Sequence, residues 1–210
     1  MLIGFLSGIS AGAGVIVARF FGAGDEKNLQ RAVHTTVAFG LVAGVLMTGV
    51  GVALSPQVLR WMDTPESVMR ESVTYLQIYF AGSLGFVMYN VLVGILQAVG
   101  DSRHPLYYLI VSSVINLVLD LLFITGFHTG VGGAAVATVI SQIVSALLCF
   151  WQLLRTKESY GLKIRKIRFD KGILVQIIKI GLPSGVQNSI IAFANVIVQS
   201  NINAFGELAM

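Results

Sequence analysis

Hydrophobic and polar positions along this chain sort into long blocks. Apolar runs cover about Leu2–Phe21, Val33–Leu54 and Val73–Val99, then the two arms of a hairpin from Leu106 to Leu154, then a last run from about Ser184 to Phe205. Each is long enough, at ~1.5 Å per residue, to cross a hydrocarbon core of ~30 Å as a helix. A membrane β-strand needs only about 10 alternating residues, so a barrel does not fit. The pattern predicts an all-α polytopic membrane protein with about six transmembrane helices.

Finer spacing inside the blocks adds detail. Gly4, Gly8 and Gly12 recur every four residues, a ridge that lets a second helix approach closely. Gly40 and Gly44 repeat the device. Ser83, Asn90 and Gln97 recur every seven, a polar seam on the third span, with Asn90 and Gln97 as candidate cavity lining. Pro56 and Pro65 are expected to break helix after span two. Gly100 is expected to cap span three, with Pro105 just beyond. GLP at Gly181–Pro183 predicts a bend between a short interfacial helix, Gly172–Lys179, and span six. On that span Ser184, Asn188, Asn195, Gln199 and Asn203 form a polar stripe, with Asn188, Asn195 and Gln199 as further cavity lining.

The hairpin carries the chemistry. Its first arm reads YLIVSSVINLVLDLLFITGF, and Asp120 is a carboxylate inside an apolar span. Such a residue costs ~2.5–3.5 kcal/mol on insertion scales and by default marks a functional site. Asn116 lies four residues earlier, on the same helical face. With the turn near Thr129, an antiparallel count brings Thr138 level with Asp120 and Gln142 level with Asn116. Oxygen-bearing side chains at one depth predict a cation or proton site at Asn116, Asp120, Thr138 and Gln142. If the ion is Na+, Asn116, Asp120 and Thr138 are the expected ligands.

Composition agrees with the blocks. The 210 residues are 55% hydrophobic and 11% charged, where a soluble domain holds roughly 25% charged residues. Mean hydropathy is +0.81. The net charge of +4 does not point to nucleic acid, because the basic residues flank the spans. Arg19, Lys27, Arg31, Arg103 and seven residues of the segment 155–171 fall on one side. Only Arg60 and Arg70 fall on the other. Positive loops stay inside, so residue 1 is expected outside and loop 155–172 cytoplasmic, in a cell (plasma) membrane. An external start without a signal peptide predicts a fragment, short of one helix in front and several behind. Cys149 reads as a small buried apolar residue, and His34, His104 and His128 as interfacial.

VARFFGAGD (17–25), LQAVGDSRHP (96–105), NLVLD (116–120), GVGGAAVATVISQ (130–142), IGLPSGVQ (180–187) and NAFG (203–206) together resemble the multidrug and toxic compound extrusion (MATE) transporters. The resemblance implies twelve helices in two six-helix lobes, of which this chain would supply helices two to seven. Residues 1–154 would then belong to the amino-terminal lobe, 155–172 to a basic interlobe loop, and 173–210 to an interfacial segment and the first helix of the second lobe. It implies export of organic, often cationic, compounds by a monomer embedded in lipid, in exchange for Na+ or H+. It implies no other cofactor, no catalysis and no nucleic acid. The family's amino-lobe cation site joins a first-helix aspartate to an Asn-x-x-x-Asp pair and a threonine. Asn116, Asp120 and Thr138 match the last three. Ile191 stands where another branch of the family has a glutamate. A lipid-linked oligosaccharide flippase of related fold is the runner-up, although no span offers a cavity arginine. An intramembrane enzyme is less favoured still, with a single mid-span carboxylate and no Ser/His pair.

Overall fold

The computed structural model describes residues 2–61, 65–127 and 129–204. His128, Phe205 and Gly206 of the sequence reading lie outside the described residues. Seven α-helices, with no strand among the described residues, make up the fold: α1 (Leu2–Gly22), α2 (Glu26–Trp61), α3 (Glu66–Ala81), α4 (Ser83–Ala98), α5 (Arg103–Leu121), α6 (Gly130–Arg155) and α7 (Lys171–Ala204). Five units are long and apolar enough to span a membrane: α2, α5 with the turn that follows it, α6, α7, and α3 with α4 as one bent pair. The 21-residue α1 corresponds to the remaining predicted span.

Two connections at the basic end are built alike. Gly24 (φ 67°) follows α1 and Gly100 (φ 88°) follows α4. Gly24 N–H donates to Phe21 O (3.1 Å) and Asp25 N–H to Phe20 O (3.1 Å). At the second site Gly100 N–H donates to Gln97 O (3.0 Å) and Asp101 N–H to Leu96 O (2.9 Å). This paired pattern closes a helix only where a residue tolerates positive φ, hence glycine. The aspartate then opens the next helix. Asn28 N–H donates to Asp25 Oδ1 (3.1 Å) and His104 N–H to Asp101 Oδ1 (3.2 Å). The Asn28 backbone N–H, then its side-chain amide, hold the Asp25 carboxyl below its ordinary range. Sequence spacing marked the glycine stop at residue 100 but not its twin at 24.

α4 lies at the centre, against α1, α2 and α6. Its Val91, Leu92, Ile95 and Leu96 are buried among Ile16, Val33, Val37 and Cys149. The glycine ridge of α1 meets α7. A Cβ on Gly8 would lie 2.2 Å from Gly185 N, and one on Gly12 would lie 2.5 Å from Gly181 Cα. Gly44 admits Leu84 of α4 in the same way. α5 is peripheral. It packs chiefly on α6, and only Pro105 and Ser112 of it are buried.

Three expectations about breaks are corrected. The third span is not one straight helix but bends by 42° between α3 and α4. The joint is Gly82, where a Cβ would sit 2.4 Å from Val139 Cγ2 of α6, so the pair folds around that side chain. Pro56 does not end α2, which runs on to Trp61. The Ser55 hydroxyl donates to Gly51 O (2.6 Å), not to the Val52 carbonyl that Pro56 leaves without a donor, and neighbouring helices are among the features that make proline tolerable in membrane helices. GLP does not break α7, and no separate interfacial helix precedes it; one helix passes through Pro183. Gly181 is a packing notch, its missing Cβ vacating a point 2.6 Å from Ile9 Cα.

Candidate functional site

The hairpin α5–α6 positions the predicted cation residues. α5 passes directly into a π turn, Leu122–Gly126, in which Phe127 N–H reaches Leu122 O (3.0 Å). Both the N–H and the hydroxyl of Thr129 donate to Phe123 O (3.0 and 2.7 Å). Gly130 (φ 60°) then starts α6. The reversal therefore falls at the predicted turn. The π turn itself had no signal in the apolar pattern. It widens the helix within one turn of Asp120, and such widenings gather at functional sites.

Several polar side chains in and beside these helices bond their own backbone. The Thr138 hydroxyl donates to Ala134 O (3.0 Å), Ser141 to Thr138 O (2.8 Å) and Ser145 to Ser141 O (3.0 Å). Asn90 Nδ2 donates to Phe86 O (2.8 Å). Asn116 and Asp120 are different. Asn116 Nδ2 and Asp120 Oδ1 are buried and have no hydrogen-bond partner. A buried polar atom left unmade costs about 1–3 kcal/mol, more when charged. Gln30, Thr36 and Thr48 also carry such an atom, but those three are neutral. Among these, only the Asp120 atom belongs to an acid.

The structure thus places Asn116 and Asp120 together on one helix as an unsatisfied pair. Thr138 and Gln142 are half-buried on α6, and neither bonds Asn116 Nδ2 or Asp120 Oδ1. A threonine that gives its proton to a backbone carbonyl keeps lone pairs free. Turning the Asn116 amide by 180° presents Oδ1 where Nδ2 now sits. One carboxylate with neutral oxygens suits a proton or a hard monovalent cation. Among the described residues, no three His, Cys, Asp or Glu side chains gather as they would around a transition metal.

Asn90 and Gln97, with Ser10 and Gly14, line an open groove of about 470 Å³ between α1 and α4. Ser83, the third member of their seam, is instead buried. On α7, Asn188 is half-buried and Asn195 exposed; the side chain of Gln199 lies outside the described set.

His34 is buried within the protein, 3% exposed. With Nδ1 donating to Gln30 O (2.6 Å), Nε2 accepts from Lys163 N–H (3.1 Å). It pins the segment between α6 and α7 onto α2. The polar run His34-Thr35-Thr36 at the head of an apolar helix was the available signal for this clamp.

Known proteins share this architecture. Probable multidrug resistance protein YoeA of Bacillus subtilis (strain 168) is 32% identical over 216 residues, covering 100% of this chain and 47% of its own length. The chain spans about half the length of the curated relatives it matches. A multidrug resistance MATE family transporter of the MOP superfamily is similar in its inward-facing conformation (TM-score 0.82, 28% identity, 89% of this chain and 43% of that one). Such a transporter in its outward-facing conformation is also similar (TM-score 0.86, 26% identity, 95% and 44%). The MatE family model matches residues 1–122, over half of the chain, and the chain accordingly belongs to the MatE family.

Proposed function

We propose that this chain is the helix-two-to-seven part of a cation-coupled antiporter that exports organic, cationic compounds by alternating access. Residues 1–154 form most of one lobe, 155–172 the cytoplasmic connector, and 173–210 the start of the second lobe. The distribution of lysine and arginine supports that orientation, with the protein in the cell membrane and residue 1 outside. The carrying observation is the buried, unpartnered pair Asn116 Nδ2 and Asp120 Oδ1.

Asp120 takes the coupling ion. A carboxylate in an apolar span is neutralised either by a proton or by Na+. In the Na+ case Asn116 and Thr138 complete the shell with neutral oxygens, and Gln142 lies one turn beyond Thr138. The ion can drive transport only if it binds one lobe arrangement better than the other. The likeness of this one stretch to both an inward-facing and an outward-facing transporter supports lobes that keep their shape while they rock. The substrate contacts are Asn90 and Gln97 in the α1–α4 groove, and Asn188, Asn195 and Gln199 on α7.

The test is export of a fluorescent organic cation from everted vesicles carrying the protein, under an imposed Na+ or pH gradient. Export driven by one gradient, and lost when it is collapsed, supports the reading. Export that follows ATP alone, or no export of cations under either gradient, contradicts it.

A further inference from the structure

A cup of about 450 Å³ opens at the basic end of the bundle, between the first turns of α2 and the segment joining α6 to α7. Lys27 and Arg31 line it from α2, and Arg165, Lys166 and Arg168 from the connector. Its one carboxylate is already engaged. Asp170 Oδ2 lies 3.3 Å from Arg31 Nε, and Asp170 Oδ1 accepts Ile173 N–H (3.2 Å) at the head of α7. Among the described residues, Lys27, Arg165, Lys166 and Arg168 form no ion pair. Four cations therefore surround one hollow without a counter-charge.

The wall of the cup is held in place. His34 binds the Lys163 backbone, as described above. Thr35 Oγ1 accepts Asp170 N–H (3.1 Å). Gln30 Nε2 donates to Gly161 O (3.1 Å) and also to Ser159 O. Like charges gathered on a fixed wall repel, and an anion between them removes the repulsion.

The level of the cup in the bundle narrows the choice of anion. The 36 residues of α2 extend ~54 Å, well beyond a hydrocarbon core of ~30 Å. Its first turns therefore stand among lipid headgroups. The connector reads Lys163-Ile164-Arg165-Lys166-Ile167-Arg168-Phe169. Ile164 is 60% exposed and Phe169 45% exposed, so apolar side chains flank the cations. Basic residues interleaved with exposed apolar ones are the surface chemistry of an anionic membrane interface.

We propose that this cup binds a phosphate-bearing anion, and that the headgroup of an anionic phospholipid is its occupant. A bound headgroup would bridge α2 to the connector and steady the entry into α7. This site is separate from Asp120 and does not depend on the transport reading.

The experiment is native mass spectrometry of the purified protein in neutral detergent, with phosphatidylglycerol, phosphatidylcholine or inorganic phosphate added. Arg165→Gln with Lys166→Gln empties half of the cup. Both side chains are exposed, and an unchanged melting temperature without lipid checks that the fold survives. Lys157→Gln with Lys179→Gln is the control of equal charge outside the cup. The parent should retain phosphatidylglycerol over phosphatidylcholine, and the cup variant should bind it about thirtyfold more weakly, as two lost cations near a membrane surface imply, while the control binds like the parent. Displacement of the lipid by millimolar inorganic phosphate would show the same chemistry with a soluble phosphoryl compound as its source. Equal retention of the two lipids with no phosphate bound, or equal loss in the cup variant and the control, overturns the site.

Discussion

α4 and α5 are neighbours in sequence and opposite in character. α4 is buried on most of its faces, and its Asn90 amide bonds a carbonyl one turn back. α5 is exposed along most of its length, yet holds two of the buried polar atoms that bond nothing. A protein that can satisfy Asn90, Thr138, Ser141 and Ser145 within their own helices has no structural need for an unsatisfied aspartate. The contrast separates polar residues that maintain the helices from polar residues held ready for something else. Four tests sharpen that contrast.

The largest effect should come from the packed side. Gly8→Leu drives a side chain into the Gly185 backbone, 2.2 Å from the Cβ position. Overpacking typically costs 1–3 kcal/mol, and with backbone as the obstacle more than ~3 kcal/mol is expected. Val114→Leu on α5, where the valine is 56% exposed, should leave folding unchanged. Thermal melts in detergent compare them, and equal melts would mean that the α1–α7 seam is not tight.

His34→Ala should come next. It strands the Lys163 N–H, for a loss of about 1–3 kcal/mol. Faster tryptic cleavage at Arg165 and Lys166 is the second readout. Cleavage as slow as in the parent would show that other contacts hold the connector.

Asn116→Ala removes a buried amide whose Nδ2 bonds nothing, so stability should change by less than ~1 kcal/mol. Na+-driven export should weaken about tenfold, while proton-driven export changes less, because the amide is a ligand and carries no proton. Equal loss under both gradients would make Asn116 a positioning residue for Asp120.

The smallest effect concerns Asp25. Its folded pKa is lowered below the ordinary 3.8, chiefly by the Asn28 N–H. Its contribution to stability is therefore complete above the unfolded value and is lost as pH falls through the lowered one. Asp25→Asn keeps a cap oxygen and should differ from the parent only slightly, with the difference vanishing in acid. A gap that widens as pH falls would contradict the assigned direction.

Much of this fold was legible because a bilayer demands long apolar blocks, and those blocks located the spans. Glycines at four-residue spacing on α1 announced a close approach, but its partner, α7, depends on tertiary contact. Pro56 and GLP misled because proline signals are local, whereas a helix held by its neighbours runs on through them. The bend at Gly82 was hidden because its cause, Val139, lies on another helix. At the candidate site, four-residue spacing brought Asn116 and Asp120 to one face. That they are unsatisfied, and that a π turn follows, depends on where every neighbouring donor points. The polar run His34-Thr35-Thr36 hinted at the clamp, but its partner, a connector more than a hundred residues away, leaves no local trace.

The central claim is that Asp120 is held unsatisfied for a cation, and one paired measurement on Asp120→Asn tests it most directly. Asparagine keeps the size and hydrogen-bonding capacity and removes only the titratable charge. The melting temperature should stay level or rise, because an unpartnered buried acid is gone, while export under both Na+ and pH gradients should fall to background. A variant that exports like the parent under both gradients, or one that loses export only because it no longer folds, would contradict the account and make Asp120 a structural residue.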